Sequence, residues 1–159
     1  MMKLDKFDRC ILSSLQDDAK LTISELSEKC GLSRTPVHER LKKLEETGAI
    51  RAYQTKLDPA IVGFDIHAFC NVSLKEHAQK YLENFEQEIT ACYEVIACHH
   101  IAGMFDYLLE IRVADMKAYQ YFISKKLASI ENIGNVQSSF VMKEILPQRG
   151  IEIIKQTDL

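Results

Sequence analysis

The sequence predicts an α+β chain of two small domains: an N-terminal winged helix-turn-helix in residues 1–48 and a C-terminal ferredoxin-like βαββαβ domain in residues 64–159, joined by a wing or hinge linker at 49–63. Three observations lead there. Two short helices with readable ends meet at the turn Cys30-Gly31-Leu32-Ser33. Beyond residue 64 the apolar period runs strand, helix, strand, strand, helix, strand. The 159 residues, 47% hydrophobic and 27% charged, suffice for two packed cores.

In the first domain Leu4, Phe7, Ile11, Leu12 and Leu15 recur at helical spacing, with Asp5 as N-cap. Thr22 and Glu25 form a capping box, Leu21 and Leu26 a hydrophobic staple, and Gly31 ends that helix in a left-handed conformation. Ser33 is placed to cap a third helix, which tolerates Pro36 in its first turn and carries Val37, Leu41 and Leu44 on one stripe up to Gly48. Residues 49–57 alternate weakly, as a strand would, and Asp58-Pro59 ends the run.

In the second domain Ile66, Ala68, Cys70, Val72 and Leu74 alternate as a strand, and Ala78, Tyr81, Leu82, Phe85 and Ile89 follow a helical period. Tyr93 to Ile101 reads as a second strand, Gly103 to Asp106 as a turn, and Tyr107 to Val113 as a third strand. Asp115 caps a helix bearing Tyr119, Phe122, Ile123 and Leu127; Gly134 breaks the chain before a last strand, Val136 to Leu146. Both helices then cover one sheet face. The other carries Phe69, Ile96 and Val141 uncovered, which calls for a second subunit.

A net charge of −3 argues against nucleic acid, but its distribution does not. Residues 34–56 hold six bases against three acids, whereas residues 61–159 hold 9 Lys/Arg against 13 Asp/Glu. The third helix buries its apolar stripe and so turns Arg34, Thr35, His38, Glu39 and Lys42 outward, near the end of a recognition helix that meets base edges. Arg34 suits guanine and Thr35 a thymine methyl, while Arg40, Lys43 and Arg51 suit phosphates. The expected partner is double-stranded DNA, and Ser33 completes the candidate DNA-binding set.

Other functions find less support. No apolar run approaches the roughly 18 residues of a membrane span, and the charged stretch Met1 to Asp8 lacks a signal core, so a cytoplasmic protein is expected. The five cysteines (10, 30, 70, 92, 98) sit among apolar neighbours without a CxxC and read as small buried hydrophobes. A metal sensor using His67, Cys70, His77, Cys92 and the run Cys98-His99-His100 is disfavoured, because on a strand His99 faces away from Cys98 and His100. An enzyme, or the amino-acid-binding appendage of one, finds no phosphate loop, GxSxG, HExxH or paired-carboxylate motif. No catalytic residue, metal or cofactor is expected.

The chain resembles the Lrp/AsnC, or feast/famine, regulators over residues 3–146. The stretches that carry the resemblance are Leu4 to Leu12, Leu44 to Ile50, Ala102 to Leu109, and Ser138 to Glu144. The resemblance implies dimers that gather into larger assemblies, commonly octamers, controlled by a small effector, typically an amino acid. It places that effector between dimers, near Gly103, Met104, Asp106, Tyr107, Ser138 and Ser139. Met104-Phe105 departs from the family pattern, where many relatives first carry an acidic or small polar residue. A glycine there lets a ligand approach backbone N–H groups, and Asp106 is suited to accept from an α-ammonium.

Overall fold

The computed structural model describes residues 3–147 and 149–153. It divides into two compact units, one built from the N-terminal 56 residues together with the segment from Leu146, the other from Leu57–Ile145. The division falls inside the predicted linker. The tail departs from the predicted boundaries: from Leu146 on it groups with the first unit, where the Gln16 side-chain amide donates to the Ile151 carbonyl at 3.0 Å and accepts from its N–H at 2.6 Å. The end of the predicted second domain, residues 154–159, lies outside the described residues.

The first unit holds three helices: α1 (Lys6–Asp17), α2 (Ile23–Cys30) and α3 (Arg34–Glu46). Their ends follow the expected chemistry. Asp5 and Asp8 form a capping box on α1, Thr22 and Glu25 one on α2, and Gly31 ends α2 at φ 65°. Ser33 holds the N-cap position of α3, but its hydroxyl makes no cap bond. Ile11, Leu26, Cys30, Val37 and Leu44 close the core. Two features differ from the sequence reading. Cys10 and Cys30 are joined by a disulfide instead of lying as separate small hydrophobes. Residues 49–57 carry no strand: alternation supplies a face, but ladder hydrogen bonds need a partner strand, and this segment pairs with none among the described residues.

In the second unit β1 (Ile66–Leu74), β2 (Val95–His100), β3 (Tyr107–Val113) and β4 (Ile133–Phe140) form an antiparallel sheet in the order β2-β3-β1-β4, the ferredoxin-like arrangement. Helices α4 (Gln79–Thr90) and α5 (Met116–Tyr121) pack on one face. Phe85, Ile89, Tyr119 and Phe122 meet Ala68, Cys70, Val72, Leu109 and Ile111 there, all buried. Asp115 caps α5 as expected, accepting from Ala118 N–H at 2.8 Å. Helix α5 then widens into a π turn (Phe122–Lys126) and tightens into a 3-10 turn (Leu127–Ser129).

The last strand starts earlier than expected, at Ile133, and Gly134 lies inside it instead of breaking the chain before it. The register of β1 against β4 shifts at Val72/Leu74, and the Ser73 carbonyl oxygen lies 3.0 Å from where a Gly134 Cβ would sit. Glycine is there for close backbone approach, not for a turn. Gly134→Ala is expected to cost about 1–2 kcal/mol through this overlap with backbone that cannot give way freely. Denaturant unfolding checks it, and an unchanged midpoint would show that the strand accommodates the methyl group.

Candidate DNA interface and effector site

On α3 the buried positions are Val37 and Leu44, with Leu41 half-buried. Arg34, Thr35, His38, Glu39 and Lys42 are exposed, along with Ser33, Lys43 and Arg51. The i, i+4 steps Arg34–His38–Lys42 and Thr35–Glu39 form one outward stripe. The turn that aims α3 is fixed from α2: the Ser27 hydroxyl donates to the Leu32 carbonyl at 2.6 Å, and Leu32 N–H donates to Ser27 O at 3.1 Å. Arg34 donates to the Ser24 hydroxyl at 3.0 Å, an exposed contact that a base edge can replace. Lys42 sits 3.7 Å from Glu46, a pair too exposed to hold it.

Arg40, expected to contact phosphate, is engaged within the chain. Its Nη1 reaches Asp5 at 2.7 Å and Asp8 at 2.6 Å, and its guanidinium lies 5.4 Å from the centre of the Phe7 ring. The N–H of Asp8, aided by this guanidinium, holds the Asp5 carboxyl below its ordinary range. Arg40 thus ties α3 to the first turn of α1. Spacing gave no sign of it, since Asp5 and Asp8 are already explained as caps.

In the second unit Gly103, Met104 and Asp106 share the β2–β3 connection. Gly103 has open space on its side-chain side, and Met104 is 88% exposed. Asp106 is engaged: one carboxylate oxygen accepts from Leu74 N–H at 2.7 Å, and the other pairs with His77 Nε2 at 2.9 Å. His77 carried no positional signal in the sequence. Tyr107 is a core residue beneath the loop, its ring 4.4 Å from that of Phe85 and 4.8 Å from that of His100. Its hydroxyl donates to Glu86, and burial first, then this carboxylate, pushes its pKa well up. Ser138 and Ser139 stand on β4, separated from β3 by β1, and point to opposite faces: Ser138 opposes Cys70 and accepts from the Tyr119 hydroxyl, while Ser139 opposes Phe69. One chain brings the three loop residues together but not the two serines with them.

The sheet face away from the helices carries Phe69, Leu108 and Val141, all half-buried, and the exposed Ile96, around a His67–Glu110 pair at 2.9 Å. His99 opposes Leu108, and Cys98 opposes Leu109, so the two alternate across the sheet as predicted.

A family model described as Lrp/AsnC ligand binding domain matches residues 67–151, and a winged helix-turn-helix DNA-binding model matches residues 4–51. The chain belongs to the Lrp/AsnC family. It is a DNA-binding transcriptional regulator with a ligand-binding second domain. A proline dehydrogenase transcriptional activator of Rhizobium radiobacter is 38% identical over 93% of this chain and 94% of its own. The leucine-responsive regulatory protein of Escherichia coli is 35% identical over 89% and 87%. Among solved structures, a transcriptional regulator of Neisseria meningitidis in complex with L-Met superposes with a TM-score of 0.89 at 37% identity, covering 99% of this chain and 100% of that one. For this Lrp/AsnC chain no helix among the described residues is long and apolar enough to cross a membrane.

Proposed function

We propose that this Lrp/AsnC regulator works in the cytoplasm by binding, without catalysis, and that an amino acid modulates its assembly or its hold on DNA. The α3 stripe carries the DNA half of the reading: Arg34, Thr35, His38, Glu39 and Lys42 read the major groove, with Ser33, Lys43 and Arg51 on the backbone. The uncovered apolar sheet face supports a dimer formed through it. An effector touching Gly103 and Met104 of one chain and Ser138 or Ser139 of another would join dimers into a larger assembly, of which an octamer is the family's common form. The L-Met bound by the Neisseria meningitidis relative supports an amino acid in that role.

The test separates base reading from charge. Arg34→Ala is expected to lose about tenfold or more in preference for a selected site over random DNA, the scale of one bidentate base contact. Lys43→Ala should weaken both about equally. Gel-shift titrations at fixed salt measure it, and equal losses on both duplexes for Arg34→Ala would remove Arg34 from base recognition. Repeating the titration with each of the twenty amino acids, alongside sedimentation velocity, reports the effector; no change with any of them would overturn the effector half.

A further inference from the structure

We propose that Cys10 and Cys30 form a reversible thiol–disulfide switch that sets the rigidity of the helix-turn-helix and, through it, the affinity for DNA.

The bridge joins the middle of α1 to the last residue of α2, 20 positions apart, with Cα atoms 5.7 Å apart. Cys30 directly precedes Gly31, the left-handed residue from which the chain turns into α3. The bridge therefore clamps the support of the recognition helix at its pivot, by a link separate from the Arg40 pairs. The unit it clamps is small, with five fully or nearly buried apolar residues at its centre. Domains of this size bury a smaller fraction of their surface than larger ones do, and a covalent staple adds stability that a small core cannot supply.

Given the cytoplasmic location proposed above, a disulfide here is one that forms and breaks: in reducing compartments such bonds are typically transient and redox-sensing. Cys10 is half-buried, which leaves a small thiol access to one side of the bridge. The other three cysteines are free, and burial pushes the Cys70, Cys92 and Cys98 thiols up, towards the unreactive protonated form. The partner is a low-molecular-weight thiol–disulfide couple. On oxidation the Cys10 and Cys30 S–H bonds are lost and one S–S bond forms; the small disulfide's S–S bond breaks, and its two sulfurs take up the two electrons and two protons. Reduction is the reverse.

The full-length protein is equilibrated in buffers of stepped reduced-to-oxidised glutathione ratio. Thiols are then counted under denaturing conditions, and melting temperature and affinity for a random-sequence duplex are measured at fixed salt. The expected result is a cooperative step from five titratable thiols to three. The reduced form should melt lower by on the order of 10 °C and bind DNA roughly fivefold or more weakly. Cys92→Ser should keep the step, and a Cys10→Ala/Cys30→Ala double variant should lose it. The reduced wild type serves as comparison should that variant fold poorly. Five thiols at every ratio, or equal DNA affinity on both sides of the step, would overturn the proposal.

Discussion

Arg40→Ala is expected to destabilise the helix-turn-helix unit by about 1–2 kcal/mol, because Asp8 is nearly buried while Asp5 and Arg40 remain partly exposed and are screened by solvent. Asp8 is nearly buried, with 10% of its side chain exposed, and Arg40 keeps 30%. Truncation would leave the Asp8 carboxylate without its cation beside that of Asp5, and would also strip the guanidinium from its place by the Phe7 ring. Thermal unfolding of wild type, Arg40→Ala and Lys43→Ala decides the matter. A drop for Arg40→Ala alone supports the structural role, whereas equal melting of all three would return Arg40 to the phosphate contacts. The same cluster fixes an acid dependence. The Asp5 pKa is lowered in the folded chain, so its contribution is fully present above its ordinary value of 3.8 and is lost as pH falls through the lowered one. Because the N–H of Asp8 is the largest cause, part of this acid sensitivity should survive in Arg40→Ala.

Asp106→Ala should cost about 2–3 kcal/mol in the second unit. The carboxylate accepts from Leu74 N–H at 2.7 Å, and Leu74 is a buried residue at the end of β1, so losing the acceptor strands a backbone donor. The pair with the exposed His77 adds less. This changes the expectation that the carboxylate is there to accept from an α-ammonium, since both of its oxygens are already engaged within the chain. Asp106→Asn keeps an acceptor and should lose about half as much. Unfolding and effector titration of the two variants separate the roles. A stable Asp106→Ala that no longer answers to an amino acid would make Asp106 a ligand contact; an unstable one that still answers would make it a support for the loop.

The sheet and the caps were legible because each rests on local chemistry: period-two apolar runs at Ile66–Leu74 and Tyr107–Val113, and side chains next to the N–H groups they satisfy at Asp5, Thr22 and Asp115. What escaped depends on residues far apart in the chain. Cys10 and Cys30 look like any small apolar-flanked cysteines until α1 and α2 pack. Arg40 looks like a surface base until Asp5 and Asp8 meet it from 35 and 32 positions away. Gly134 reads as a breaker because the carbonyl that demands a glycine belongs to another strand. Of the candidate sites, the α3 stripe follows from one helix and was readable; the effector residues came with the family resemblance, and their hydrogen bonds could not.

The π turn at Phe122–Lys126 bears on how chains of this kind are aligned. A π turn is an α-helix with one residue accommodated in a widened ring, here closed by Leu127 N–H donating to the Phe122 carbonyl. Phe122 and Leu127 are both buried although they are five apart, a spacing that a regular helix would place on different sides. A homologous chain lacking one residue between Phe122 and Leu127 would therefore keep the same core contacts with an unbroken α-helix. Such a one-residue gap marks a change of helical pitch, not a loss of structure, and the helix either side of it should be matched as continuous.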